Sequence, residues 1–254
     1  MLLVFDIGNT NIVFGVNDQS GWGKIWRIQT DPGKTADEYE VLVRSLFSSG
    51  GIIESNIQKV VISSVVPSLT GAFEEMIRNF LSLETLVVDP RIFDRLPIKI
   101  LNPYEIGSDL VANAVAAYNQ HQGPCMIVDF GTALTFTTIS SDGEILGVAI
   151  APGLQTAVKS LAGNTAQLPR VQLIKPPSVL GKNTVHAIQS GIVHGYCGLV
   201  DYMIKKTEEE TKLKLKVIAT GGLAPVIAPQ IDSIHYIEEN LTLEGLKMIA
   251  ELIY

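Results

Sequence analysis

Residues 2–16, LLVFDIGNTNIVFGV, and residues 125–139, CMIVDFGTALTFTTI, follow one plan. Each is an apolar strand, an Asp-x-Gly turn followed by a hydroxyl residue, and a second apolar strand. In the first, the turn is Asp6-Ile7-Gly8-Asn9-Thr10; in the second it is Asp129-Phe130-Gly131-Thr132. A carboxylate at the end of a buried strand is costly unless something satisfies it. Glycine lets the backbone turn tightly and approach a ligand. Asn9, Thr10 and the turn amides are donors for phosphate oxygens, and Thr132 offers the same in the second copy. Asp6 is placed to hold Mg²⁺ through water, since Mg²⁺ dehydrates reluctantly. Alone, either motif reads as well as an ordinary hairpin turn. Their repetition favours two related halves that grip phosphate.

Outward from these turns, strands alternate with helices, as in an α/β fold with parallel members. KIWRIQT (24–30) is strand-like, and Tyr39, Leu42, Val43 and Leu46 recur at helical spacing. KVVISSVV (59–66) is a strand stopped by Pro67, followed by a helix over 68–80 and the strand TLVVD (85–89). IGSDLVANAVAAYNQ (106–120) is a helix that Ser108 can cap. SDGE (141–144) turns the second series into EILGVAIA, and a helix is expected after Pro152-Gly153. The Pro-rich stretch QLPRVQLIKPPSVLGKN (167–183) reads as a surface loop. A long helix is expected from Thr184 to about Lys206, then strand LKVIAT, the turn Gly221-Gly222 opening another helix, and a final helix over 241–253. Gly-Gly between strand and helix can lie flat against an adenine or meet an anion, or be a plain turn. The halves should meet near residues 115–124, giving domains 1–117 and 118–254.

Composition excludes several function classes. In 254 residues, 46% are hydrophobic and 18% charged, as in a folded globular protein. The net charge of −7 gives no field for nucleic acid or an anionic membrane. No apolar run is long enough to span a bilayer. Cys125 and Cys197 form no CxxC pair and read as small core residues, which fits a reducing cytoplasm. His186 and His194 are eight apart on one helix, about 80° around it, and do not make a zinc site. Trp22 and Trp26 read as packing residues, and Lys205 to Glu210 as a solvated helix end. Ala187, Ser190, Gly191, Gly195 and Gly198 suggest close helix packing, within the chain or across a dimer. Asp109 sits in a first helical turn, where the dipole favours its ionised form. From the residues alone it either decorates the helix start or accepts a proton.

The motifs occur in a specific series: DIGNTNIVFGV, SSVVPSL, NPYEIGSDLVANAVAAY, VDFGTALTF, GVAIAPGL, LAGNTAQLPRV, GKNTVHAIQSGIVHGY and IATGGLA. The Asp-x-Gly pair with the late Gly-Gly resembles the acetate and sugar kinase, Hsp70 and actin superfamily. The full series resembles type III pantothenate kinase, the bacterial enzyme that opens coenzyme A biosynthesis. That resemblance implies two actin-like (ribonuclease H-like) domains, with mixed sheets flanked by helices and a nucleotide cleft between them. It implies ATP-dependent phosphorylation of the primary hydroxyl of pantothenate by a cytoplasmic homodimer. By the same resemblance, Asp6, Ile7, Gly8, Asn9, Thr10, Asn11, Ile12 and Val13 form the ATP phosphate loop, and Thr132 is a second ATP contact. Gly221 and Gly222 suit the nucleotide site. Asp129 matches a ligand of K⁺ or NH₄⁺. Tyr104, Gly107, Ser108, Asp109 and Leu110 match pantothenate contacts, with Asp109 the general base, and Thr184 matches a contact reached from the partner subunit or the dimer interface. Leu110 stands where the family usually has Arg, and Thr137 where it commonly has Asp. Leu cannot hold a carboxylate with two parallel bonds as Arg does. The alternatives are a nucleotide-binding regulator without kinase activity, and a kinase for another small alcohol.

Overall fold

The computed structural model describes all residues from Met1 to Tyr254. The elements run β1 (Leu2–Ile7), β2 (Asn11–Asp18), β3 (Gly21–Gln29), α1 (Ala36–Gly50), β4 (Lys59–Ser64), α2 (Pro67–Leu81), β5 (Thr85–Val87) and α3 (Ser108–His121). Then come β6 (Cys125–Phe130), β7 (Ala133–Ile139), β8 (Ile145–Pro152), α4 (Leu154–Asn164), α5 (Thr184–Thr211), β9 (Lys216–Thr220), α6 (Ala224–Ile227), β10 (Tyr236–Ile237) and α7 (Leu241–Ile253). No helix is long and apolar enough to cross a membrane.

The internal repeat of the sequence is a repeat of topology. One sheet has the order β3-β2-β1-β4-β5, the other β8-β7-β6-β9-β10. In each, the Asp-x-Gly turn closes an antiparallel hairpin, a third strand adds antiparallel, and the next two add in parallel. Strand alternation decides what each face carries. Leu3, Phe5 and Ile7 join Ile12, Phe14, Val60 and Ile62 in a core with Tyr39 and Phe47 of α1 and Phe73 of α2. Phe5 stacks on Phe14 at 5.0 Å and meets Phe73 edge-on at 5.2 Å. Met126, Val128, Phe130, Leu134 and Phe136 make the equivalent core with α4 and α5. Asp6 and Asp129 have the opposite parity and so lie on the other face of their sheets.

Local signals set several boundaries. Thr35 and Glu38 form a reciprocal capping box at α1, and Gly51 ends it at φ 71°. Pro67 opens α2 at a position whose N–H would have no helical partner. Trp26 stacks on Phe14 at 5.3 Å, and Trp22 donates to Glu244 at 2.6 Å, so both tryptophans pack as expected.

The chain divides into two compact units, Met1–Ala116 with Leu241–Tyr254, and Ala117–Asn240; α3 runs through the boundary. A division in chain order at 117/118 puts the last helix in the second half, whereas α7 packs on β1, β2 and β4 of the first. Tyr254 Oη donates to the Val60 carbonyl at 2.8 Å, and Thr242 Oγ1 to Asn113 Oδ1 at 2.8 Å. The Pro-rich stretch has no regular structure but is not merely a surface loop. Val171 and Leu173 are buried in the second core, and Gln189 Nε2 bonds the Gln172 carbonyl at 2.8 Å. The long helix continues to Thr211, past the expected end at Lys206, with Lys206 and Glu209 paired at 2.6 Å on its surface.

Gly245 sets α7 close against α3. A Cβ there would run into the Ala112 carbonyl and stand 3.0 Å from its Cα. Gly245→Ala is therefore expected to cost about 1–3 kcal/mol by overpacking, measured by urea unfolding.

Candidate functional site

The first turn is built at the end of β1. Asp6 pairs with Val13 across the hairpin and with Ser63 of β4 on its other side. Gly8 N–H donates to the Asn11 carbonyl at 3.0 Å and closes the turn. Gly8 is not in the left-handed region; what demands glycine is space, since a Cβ would sit 3.1 Å from the Asn11 oxygen. Ile7 and Ile12 are fully buried in the core, so only their backbone is available to a ligand. Asn9 and Thr10 are exposed, and Asn11 and Val13 are partly so. The residue after β3 also holds this turn: Thr30 N–H donates to the Thr10 carbonyl at 3.0 Å, and Thr30 Oγ1 to the Gly8 carbonyl at 2.6 Å.

Asp109 is fixed from the same strand ends. Val65 N–H donates to the Ile7 carbonyl at 3.0 Å, carrying β4 on beside the turn. The Ser108 hydroxyl, expected to cap α3, is turned to β4 instead. It lies 2.9 Å from Ser63 Oγ and accepts from Ser64 N–H at 3.2 Å. Ser63 is wholly buried and Ser108 nearly so. Gly107 precedes them, and a Cβ there would strike Asp109 Oδ1. The Asp109 carboxylate accepts from Leu110 N–H at 2.8 Å. Burial raises its pKa above the ordinary value, and the bonds from the Leu110 and Asp109 amides partly offset this. Leu110 is 8% exposed, so its side chain belongs to the interior. Tyr104, at 89% exposure, stands in solvent on the loop leading to α3.

The second turn gathers more of the expected residues. Asp129 pairs with Thr135 of β7 and Thr220 of β9. Gly221 follows Thr220 at φ 91°, and a Cβ there would meet Asp129 Oδ1 and stand 2.8 Å from the Phe130 backbone. A Cβ on Gly131 would come within 3.3 Å of the same oxygen. Only glycines can flank this carboxylate so closely. The Thr132 carbonyl accepts from Gly153 N–H at 3.1 Å and from Thr156 Oγ1 at 2.8 Å. Thr132 and Gly222 are exposed beside it. The helix expected after Gly221-Gly222 is α6, a single turn running into a 3-10 turn over Ala228–Gln230. It is too short to carry an anion site at its N-terminus, and of the two glycines it is Gly221 that lies against Asp129. Thr184 begins α5 behind an Asn183 cap. Tyr196 ties α5 to the Pro152 carbonyl at 2.7 Å. At ~1.5 Å per residue, Thr184 lies roughly 18 Å along the helix from that tie, and the structure does not join it to the Asp129 group. Thr137 is 1% exposed within β7, where an Asp would be a buried carboxylate.

No three His, Cys, Asp or Glu side chains group as metal ligands. Asp6 offers a single carboxylate at a strand end, which fits the few protein ligands that Mg²⁺ takes when phosphates and water supply the rest. The Asp129 oxygen is walled by Gly131 and Gly221, which leaves room beside it for a small ligand. Ser63 and Thr30 were missed from the sequence. The available signal was a hydroxyl residue near a strand end, Ser63 in β4 and Thr30 just past β3.

A model of the family described as type III pantothenate kinase matches residues 2–206. A protein of Geotalea uraniireducens named "Type III pantothenate kinase" is 47% identical over 251 residues, covering 99% of this chain and 98% of its own. A solved structure of the activator of the 2-hydroxyisocaproyl-CoA dehydratase from Clostridium difficile, with bound ADPNP, superposes with a TM-score of 0.55 at 13% identity, covering 99% of this chain and 92% of that one. The inorganic polyphosphate/ATP-glucomannokinase of Arthrobacter sp. strain KM gives 0.53 at 14% identity, covering 100% and 99%. At such identities the solved structures show the fold alone, two actin-like halves with mixed sheets flanked by helices. An identity of 47% over 99% of the chain, with a family model matching residues 2–206, shows more: the chain belongs to the type III pantothenate kinase family.

Proposed function

We propose that this chain transfers the γ-phosphoryl group of ATP to the primary hydroxyl of pantothenate, giving 4'-phosphopantothenate for coenzyme A biosynthesis. The observation that carries the proposal is Asp109. Its carboxyl is partly desolvated and accepts from Leu110 N–H, at a helix start that Ser108 pins to a strand beside the first Asp-x-Gly turn.

The roles follow from position. The turn from Asp6 to Val13 receives ATP phosphates through the exposed Asn9 and Thr10 and the backbone. Thr132, Gly221 and Gly222 are the nucleotide contacts of the second unit. Asp129 holds K⁺ or NH₄⁺, and Asp6 holds Mg²⁺ through water. The chemistry these ions supply when bound is neutralisation of phosphate charge. Asp109 orients the acceptor hydroxyl and takes its proton as oxygen attacks phosphorus. Burial makes it a better base than an exposed Asp. Tyr104, Gly107 and the backbone about Leu110 contact pantothenate. Ser108, with its hydroxyl engaged by β4, contributes by setting the start of α3. Thr184 reaches the substrate of a partner subunit. A homodimer is supported by unpartnered surface on the second unit. A Cβ at Gly191, Gly195 or Gly198 of α5 would meet nothing within 4 Å, and Val148 and Ile150 of β8 are exposed.

An ADP-coupled assay tests the reaction. Turnover should require pantothenate, fall when other small alcohols replace it, and be faster in K⁺ than in Na⁺. Tyr104→Ala should raise the KM for pantothenate about five- to tenfold and leave the urea midpoint unchanged, because the ring is exposed.

Asp109→Asn should lower kcat roughly 10²–10⁴-fold while ATP still binds. Its effect on stability has the opposite sign. Below the ordinary Asp pKa of 3.8 the wild-type carboxyl is neutral folded and unfolded. As pH rises through the raised folded value, ionisation of the buried group costs stability. Urea unfolding should therefore find Asp109→Asn more stable than wild type near pH 7.5, with the gap closing towards pH 3.5.

A further inference from the structure

We propose that Thr30 is a positioning residue for the first Asp-x-Gly turn, aiming its peptide groups at the nucleotide phosphates. The proposal rests on the nucleotide role given to that turn above. Two carbonyls of the turn, those of Gly8 and Thr10, accept from Thr30, one from its hydroxyl at 2.6 Å and one from its N–H at 3.0 Å. All peptide bonds are trans. In a planar trans peptide the N–H points opposite to the C=O. Holding the Gly8 and Thr10 oxygens towards Thr30 therefore turns the Asn9 and Asn11 N–H groups away from it. It also keeps two carbonyl dipoles from facing an anion.

Thr30 is itself held firmly. It is 8% exposed. The next residue, Asp31, is bracketed by the fully buried Tyr39, whose hydroxyl accepts from Asp31 N–H at 3.0 Å and donates to the Asp31 carbonyl at 2.9 Å. The second half repeats the device. Gln29 pairs with Asn11 and the next N–H, that of Thr30, meets the Thr10 carbonyl; Pro152 pairs with Ala133 and the next N–H, that of Gly153, meets the Thr132 carbonyl. A threonine hydroxyl adds a second bond in each, from Thr30 to the Gly8 carbonyl in one and from Thr156 to the Thr132 carbonyl itself in the other. Thr156 is exposed and Thr30 buried, so the first clamp is the one shielded from water.

Thr30→Val removes the hydroxyl, keeps the shape and leaves the backbone bond to Thr10. It should raise the KM for ATP about tenfold or more, because small misplacements at a reacting group are costly. The KM for pantothenate should stay within about twofold. Thr30→Ser, which keeps the donor, should restore the KM for ATP. Binding of a non-hydrolysable ATP analogue, measured by calorimetry without acceptor, should weaken in parallel for Thr30→Val. If Thr30→Val does not fold, Thr30→Cys, a much weaker donor of similar size, takes its place with the same expectations. A wild-type KM for ATP in the Val variant, or equal damage in the Ser variant, would overturn the proposal and leave the kinase function standing. Analogue binding without turnover on pantothenate would leave the clamp standing and overturn the acceptor. Failure of the unmodified chain to bind the analogue would overturn both.

Discussion

Strand parity is the constraint on which this structure depends. In β1 the alternating residues Leu3, Phe5 and Ile7 go to the helix-covered core. Asp6, between two of them, must then lie on the other face. The same alternation in β6 sends Val128 and Phe130 inward and Asp129 outward. A shift of one residue in either strand would bury the carboxylate in an aromatic and aliphatic core, at a cost that pairing could not offset. The hairpin register, the turn after each acid and the direction each acid faces are therefore one decision made twice.

The turns then determine which small residues surround them. Around Asp129, Gly131 and Gly221 leave room where any Cβ would crowd the carboxylate. Around Asp109 the logic is reversed. Gly107 makes room, hydroxyls fix the helix start, and burial lifts the carboxyl's affinity for a proton. One acid is set among backbone groups and the other is partly desolvated. Two acids of one residue type thus sit in different physical surroundings. Leu110 extends the contrast. Its buried side chain belongs to the interior of the first unit, directly after the acid that the helix start positions.

Local pattern carried much of this. Alternation exposed both hairpins, Thr35 and Glu38 marked a helix start, and Pro67 marked another. What the sequence hid was non-local or depended on small increments. Ser63 and Ser108 are 45 residues apart, and nothing in either neighbourhood announces the pair. Thr30 meets Gly8 across 22 residues. The Pro-rich stretch looks like loop by composition, yet Val171 and Leu173 find the core from a backbone without regular hydrogen bonding. The helix after Gly221-Gly222 stops after one turn because Pro229 cannot donate the next helical bond. The chain-order division differs from the structure at α7, whose apolar residues pack on the first sheet although they follow the second unit in sequence.

The place of α7 has a consequence for biogenesis. The second unit is one unbroken stretch, whereas the first is completed by Leu241–Tyr254, made after all of the second. On the ribosome, the stretch encoded in the middle has every element it needs before the stretch encoded first does. The earlier-made sheet must wait with the face that α7 covers unsealed, exposed to chaperones and to misassociation. Completion of the first unit therefore waits on Leu241–Tyr254, the last stretch of this sequence to be made.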